Sequence, residues 1–289
     1  MTKLLLTGAT GFLGSYLLES FVSQGYDVAI LKRSTSDTKR IDKILSDVRY
    51  FNIDEADLKD VFDEEKPDII VHTACSYGRG GESILDVVNS NLIFGLQLLE
   101  EGIKNGVKTF VNTSSLLPKK VNTYSLSKYQ LEEWLEMYSD KIQSVNLRIE
   151  HMYGPKDDTK KFLPWLINEM ENTENEIKLT SGIQKRDFIY IDDVVAAFNI
   201  VLKEREHLSN WNQFDVGTNV FTEVKKFVLK VAAELERRND SLIVPRLKFG
   251  EIDYRFRDVL PMLDNSKLLD LGWKCNFTIK EGIKKILKK

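Results

Sequence analysis

A glycine-rich turn that begins at residue 7 constrains this chain more than any other feature. Thr7-Gly8-Ala9-Thr10-Gly11-Phe12-Leu13-Gly14 directly follows the apolar run Lys3–Leu6 and opens a helical stretch. Glycine permits a sharp turn and lets the backbone approach a ligand with no Cβ in the way. The helix start beyond it offers free N–H groups and the positive end of the helix dipole to phosphate oxygens. Alone, such a motif also fits a tight strand-to-helix turn without a ligand. Its context argues for a dinucleotide. Short β-rich runs at Asp27–Leu31, Arg49–Phe51, Ile69–His72, Thr109–Asn112 and Val145–Arg148 alternate with helical stretches at Leu13–Ser23, Ile84–Asn105 and Ser125–Tyr138. In the second of these helices Ile84, Leu85, Val88, Leu92, Leu96 and Leu99 form the stripe of a helix that faces a sheet. The alternation specifies an α/β fold, a Rossmann-type doubly wound parallel sheet.

After Tyr153-Gly154-Pro155 the regularity fades. Asp157–Gln184 suggests a helix and a short strand, and Arg186–Val195 a β-run leading into a helix. The expected division is a dinucleotide-binding domain of residues 1–152 with about 186–215, and a smaller mixed α/β lobe of about 153–185 with 216–289. Hydrophobic residues at 42% and charged residues at 29% are ordinary for a globular chain. A net charge of −3 gives no footing for nucleic acid, which is met by basic patches. No apolar run approaches the ~20 residues of a membrane span, and no signal-peptide pattern precedes the glycine turn. Cys75 and Cys275 have no metal-ligand spacing and make no disulfide framework. They are expected to be small buried thiols in a reducing compartment, and the protein to be cytoplasmic. The basic end Lys284–Lys289 is expected to be a solvated helix terminus favoured by the dipole.

The end of the second strand selects between nicotinamide cofactors. An acid there would bond the adenosine ribose and repel a 2′-phosphate. The chain instead has Ile30-Leu31-Lys32-Arg33-Ser34. Lys32 and Arg33 suit a phosphate and Ser34 adds a hydroxyl, which favours NADP(H), although a solvated basic pair would look the same. The expected cofactor set is Gly8, Thr10, Gly11, Phe12, Leu13, Gly14, Lys32, Arg33, Ser34, Asn52, Ile53, Thr73, Ala74 and Asn91, with Tyr124 and Lys128. Tyr124-Ser125-Leu126-Ser127-Lys128 places a phenol and an ammonium on one helix face. Reduction of a carbonyl by hydride needs a proton donor at the nascent alkoxide. A phenol of pKa ~10 suits that task once a nearby ammonium lowers its pKa toward neutrality.

The order TGATGFLG, TSS, YSLSK, LRIEHMYGP and RDFIYIDDV is similar to that of the extended short-chain dehydrogenases, the nucleotide-sugar epimerase/dehydratase/reductase family. The similarity covers nearly the whole chain. It implies Ser115 as the catalytic serine, in preference to Ser114, Tyr124 as acid/base, and Lys128 as the residue that tunes Tyr124 and holds the nicotinamide ribose. It implies Arg186 and Arg255 on the diphosphate of a sugar nucleotide, and the smaller lobe as the sugar-nucleotide lobe. His151 stands where the family commonly has a substrate-facing asparagine, and Tyr77 lies in its substrate loop, so both are expected at the substrate or in simple packing. Dehydratases of the family need an acidic pair beside the catalytic serine or threonine, where this chain has Leu116-Leu117. Epimerases usually keep tightly bound NAD, which Lys32-Arg33 opposes. What is left is a reductase that uses exchangeable NADPH. LRIEHMYGP, KFLPWLI, TSGIQKRDFIYIDDVV and LGWKCNFTIKEGI resemble reductases of CDP-linked 4-ketosugars that serve bacterial surface polysaccharides. A dTDP- or GDP-linked substrate, an epimerase, or a non-catalytic NADP(H)-sensing protein are the alternatives. The family commonly forms homodimers through two long helices, here Ile84–Asn105 and Ser125–Tyr138.

Overall fold

The computed structural model describes residues 1–239, 242–253 and 263–288. Its first half runs β1 (Lys3–Thr7), α1 (Phe12–Ser23), β2 (Asp27–Lys32), β3 (Arg49–Asn52), α2 (Leu58–Glu65), β4 (Ile69–His72), α3 (Ile84–Val88), α4 (Phe94–Lys104), β5 (Thr109–Ser115), α5 (Thr123–Met137) and β6 (Gln143–Ile149). A π-turn, Asn89–Ile93, joins α3 to α4, so the long helix expected there is continuous but locally widened. Beyond it come β7 (His151–Tyr153), α6 (Phe162–Asn172), β8 (Ile177–Leu179), β9 (Lys185–Tyr190), α7 (Ile191–Glu204), β10 (Trp211–Val216), β11 (Phe221–Glu223), α8 (Val224–Asn239), β12 (Leu247–Phe249), α9 (Ser266–Asp270) and α10 (Ile279–Leu287).

The chain divides into two compact units. The first comprises Met1–Ile149, Val195–Val216 and Ser266–Trp273. Its seven-stranded sheet has the order β10-β6-β5-β4-β1-β2-β3 and every pairing is parallel. The order reverses between β1 and β4, the switch point at which open α/β sheets bind ligands beyond their strand carboxyl ends. Strand residues alternate between faces. Leu5, Ala29, Leu31, Ile70 and Phe110 thereby join Val61 and Phe62 of α2, Leu98 and Leu99 of α4, and Leu131 and Leu135 of α5 in one core cluster. A Cβ on Gly95 would stand 2.6 Å from Leu131 Cδ2, so that glycine sets how closely α4 meets α5. The seventh strand was not anticipated, because Trp211–Val216 lacks the apolar run that marked the others.

The second unit comprises Glu150–Val194, Gly217–Asn265 and Lys274–Lys289. It holds a three-stranded sheet β11-β9-β7 and a two-stranded sheet β12-β8. The run from Arg186 to Tyr190, within β9, was expected in the larger domain. It pairs instead with β7 in parallel and β11 in antiparallel fashion, and so lies here. Phe188 stacks on Phe227 of α8 at 3.9 Å between ring centroids, and Tyr153 meets Phe227 edge-on. The expectation of two buried thiols fails at both positions. Cys75 is half-buried and Cys275 is exposed, its thiol donating to Asp193 Oδ2 at 3.2 Å. Burial and the Asp193 carboxylate push the Cys275 thiol up to about 12. Among the described residues no helix is long and apolar enough to cross a membrane.

Candidate active site

The glycine turn has the geometry that its sequence required. Gly8 has φ +72°, and a Cβ there would lie 2.6 Å from both Ala74 N and Thr73 Oγ1. Gly11 N–H closes the turn on Gly8 O at 2.9 Å. A Cβ on Gly14 would enter the backbone of the Gly8 turn, which fixes the close seat of α1. Gly11 caps α1 in an extended conformation with no side-chain hydrogen bond, so the opening N–H groups of the helix keep their capacity for an anion. Thr7 locks the turn to the end of β4, since its Oγ1 accepts from Thr73 N and Ala74 N at 3.2 Å each.

The strand ends beside the turn carry the remaining expected cofactor residues. Lys32 Nζ donates to Asn52 Oδ1 at 2.6 Å and lies 4.8 Å above the Tyr50 ring. Lys32 is therefore tied to β3, whereas Arg33 is exposed on the loop beyond. Ser34 is held by Asp54, to which it donates through N–H (2.8 Å) and hydroxyl (2.5 Å). Those hydrogen bonds hold the Asp54 carboxyl below its ordinary value. Ile53 N–H donates to Lys32 O at 2.9 Å. Asn91 is engaged by the protein itself. Its amide donates to Ser76 O (2.9 Å) and Ser127 Oγ (3.0 Å) and accepts from Ser76 N (2.6 Å). From the π-turn its side chain thus braces the segment after β4 against α5.

The end of β5 and the first turns of α5 bring the catalytic candidates together. Asn122 caps α5 by accepting from Ser125 N at 2.7 Å, which sets Tyr124 and Lys128 on successive turns. Ser114 and Ser115 are separated by environment. The Ser114 hydroxyl donates to the buried Glu132 carboxylate, while Ser115 Oγ accepts from Leu117 N at 3.1 Å and sits beside the Tyr124 phenol. Burial raises the Tyr124 pKa, and the neighbouring Cys75 acts in the same sense. Arg79 and the Ser115 hydroxyl pull it down but do not prevail. On balance burial prevails, and the Tyr124 pKa stands above that of a free phenol. Tyr77 packs on Tyr124 with ring centroids 4.9 Å apart, and Arg79 lies 5.6 Å over Tyr77.

Lys128 is 1% exposed, and its Nζ has no hydrogen-bond partner among the described residues. Desolvation depresses its pKa, against the opposing effects of Cys75 and Glu132. A buried ammonium without a partner is costly unless something polar meets it. Its place near the strand ends that carry the glycine turn suits the hydroxyls of a nicotinamide ribose, so these residues fit a dinucleotide.

His151 and Arg186 lie in the second unit. His151 Nδ1 is 2.8 Å from Glu150 Oε2, with its ring edge-on to Phe188. Arg186 sits on β9 opposite Thr222, and its guanidinium donates to Lys185 O at 2.6 Å. Arg255 falls outside the described residues. Sequence reasoning missed Arg40, whose guanidinium donates to Thr10 O at 3.3 Å across a loop with no local signal. It also missed Asp54, Cys75 as a neighbour of Tyr124 and Lys128, and Glu132. The last had a signal: it stands four residues after Lys128, on the same buried stripe.

Fold and strand-end residues together define a Rossmann-type dinucleotide protein with a tyrosine–lysine pair. A sequence profile of the NAD dependent epimerase/dehydratase family matches residues 4–217, and the chain belongs to that family of nucleotide-sugar epimerases, dehydratases and reductases. It is 32% identical to the CDP-abequose synthase of Salmonella typhimurium (strain LT2), over 99% of this chain and 97% of that one. Among solved structures it resembles the UDP-glucose 4-epimerase of Thermotoga maritima with UDP-glucose (TM-score 0.81, 23% identity, covering 99% and 97% of the two chains). It likewise resembles the dTDP-glucose 4,6-dehydratase of Bacillus anthracis in complex with NAD (TM-score 0.82, 17% identity, 99% and 96% covered).

Proposed function

We propose that the protein reduces the C4 ketone of a nucleotide-linked 4-keto-deoxyhexose with NADPH, and that the nucleotide is CDP. The observation that carries the reading is the surround of Ser115. Its hydroxyl stands by the Tyr124 phenol, and the next residues are Leu116, buried, and Leu117. A site so furnished can protonate an alkoxide but has no carboxylate pair beside the serine to remove water from the sugar. The whole-length similarity to CDP-abequose synthase supports the choice of nucleotide.

In this reading Ser115 holds the carbonyl oxygen by a hydrogen bond and Tyr124 delivers its phenolic proton to that oxygen as the carbon is reduced. Lys128 holds the nicotinamide ribose, where its charge also favours the phenolate left on Tyr124. The cofactor, when bound, supplies the hydride. Ketone, hydride and proton together give the alcohol. Arg33, with Arg40 in the loop that follows, would meet a 2′-phosphate, and Asp54, which would repel it, is engaged by Ser34. Arg186, Arg255, His151 and Tyr77 are assigned to the diphosphate and sugar. A homodimer is proposed through α3–α4 and α5, where Ile84, Leu85, Trp134 and Met137 are exposed. Light scattering that finds only monomer at micromolar concentration rejects that assembly.

The test is NADPH consumption across freshly made CDP-, dTDP-, GDP- and UDP-4-ketosugars. Highest kcat/KM with a CDP compound is expected. Preference for another nucleotide overturns the CDP assignment, and no reduction of any ketosugar overturns the reaction.

A further inference from the structure

The catalytic helix carries a second buried ionisable group for which the proposed reaction has no use. Glu132 is 6% exposed and lies one turn beyond Lys128 on α5. Its carboxylate accepts from the Ser114 hydroxyl, and the buried Asn146 side chain borders it. Asn146 in turn accepts from Asn112 Nδ2 at 2.7 Å. Thr7, His72, Asn112 and Asn146 are register partners across β1, β4, β5 and β6, one polar row near the strand ends. This row shares its sheet face with Leu5, Ile70 and Phe110, the face that α4 and α5 cover. A carboxylate in so dry a place is expensive unless it is hydrogen-bonded and matched by charge.

We propose that Glu132 is a positioning residue for Lys128: held by the Ser114 hydroxyl, it supplies the fixed countercharge of the Lys128 ammonium, which has no hydrogen-bond partner among the described residues. The proposal rests on the reading of Lys128 as the residue that holds the nicotinamide ribose. Burial raises the Glu132 pKa and depresses that of Lys128, and each opposes the shift of the other. Other groups face the pair. Cys75 and His72 approach Lys128 from β4 and the segment after it. Arg148 of β6 acts on Glu132, but its guanidinium is already bound to Asp215 of β10 at 2.6 and 2.8 Å. Tyr129 of α5 borders Glu132 and Arg148. Among the described residues, Glu132 is thus the one carboxylate that acts on Lys128.

A role confined to packing would make Glu132→Gln nearly silent in any pH profile, since the amide keeps the shape and can still bond Ser114. The first measurement needs no turnover: a double-mutant cycle of Glu132→Gln and Lys128→Met in denaturant unfolding at neutral pH. Coupling of about threefold or more in the unfolding constant is expected, the double variant being less destabilised than the two singles together predict. Additive effects overturn the proposal. Should Glu132→Gln not fold, a double variant that folds demonstrates the coupling, and one that also fails overturns it. The second measurement is the pH profile of kcat/KM for ketone reduction. In Glu132→Gln the alkaline limb should fall by about one pH unit, because Lys128 loses its ammonium sooner. An unmoved limb overturns the proposal. If the unaltered protein reduces no ketosugar, it is the reaction that has failed, and the unfolding cycle still decides the role of Glu132.

Discussion

The turn after β1 and the floor beneath α5 stand on the same parallel sheet, yet they are made of different material. The turn is backbone: Gly8 in a left-handed conformation, Gly11 at an uncapped helix start, Gly14 against the turn itself. What it offers an anion are N–H groups, and what would spoil it is a Cβ on Gly8 or Gly14. The floor is side chain: Ser114, Glu132, Asn146, Asn112 and Lys128, all buried and most of them bonded to one another. A backbone cradle binds by leaving atoms out, and here it has no room for a side chain at Gly8 or Gly14. A side-chain floor works by charge and protonation, and its response to substitution should depend on pH.

Tyr124→Phe should break the floor most. The phenyl ring keeps the packing on Tyr77 but has no proton to give, so kcat should fall about 100-fold or more with cofactor affinity nearly unchanged. Steady-state kinetics beside a cofactor-binding titration checks both halves, and near-normal turnover would assign the proton to another group. Gly8→Ala is the matching test of the cradle. An alanine at φ +72° whose Cβ meets Ala74 N and Thr73 Oγ1 should cost about 2 kcal/mol in the formed turn. Cofactor affinity should drop about 30-fold, without a pH dependence. A pH-dependent loss would mean that the cradle, too, works through titrating groups.

The two regions were unequally legible. The cradle was readable because its constraint acts on the residue itself: Gly8 and Gly14 have no room for a Cβ, and three glycines stand in eight positions. The strands were readable because apolar runs must be buried, and Ile69–His72 matches its observed bounds residue for residue. On the floor the Tyr124–Lys128 spacing was readable, but the neighbours that set their protonation were not. Cys75 reaches Tyr124 from the segment after β4, and no local periodicity announces such a meeting. The partners of Asn91 were equally illegible, because nothing in its local sequence points to Ser76 or Ser127. The run from Arg186 to Tyr190 was misplaced for a related reason: a β-run declares that it will pair, not with which strand.

The cradle's outer edge gives a smaller effect. With Lys32 bound to Asn52, Arg33 should carry most of the local preference for a 2′-phosphate. Arg33→Ala should lower kcat/KM with NADPH about tenfold and leave that with NADH within about twofold. Equal losses with both cofactors would place Arg33 outside the phosphate site, and a parent that prefers NADH would remove the assignment altogether.

His72 lies where the two regions meet, and it should give the smallest effect. Thr7 Oγ1 accepts from Thr73 N and Ala74 N, so the hydroxyl proton is directed to His72 Nδ1 at 2.8 Å. The ring must then carry its own proton on Nε2, which is buried without a partner among the described residues. Burial, reinforced by the Lys128 charge, depresses the His72 pKa well below 6.5. A depressed pKa means that the folded chain refuses a proton which the unfolded chain accepts. The neutral ring's contribution to stability is complete above pH 6.5 and declines as the pH falls toward the folded value. At pH 6.0 the unfolding constant should already have risen about fourfold on this account, roughly 0.8 kcal/mol. His72→Asn retains a side chain able to bond Thr7 but cannot titrate. Its stability should therefore fall less steeply between pH 6.5 and 5.5, by close to one proton in the slope of unfolding free energy against pH. Parallel slopes for parent and variant in urea unfolding would show that His72 accepts a proton inside the fold. In that case the junction would belong with the side-chain floor, whose behaviour follows pH, and not with the cradle, whose behaviour does not.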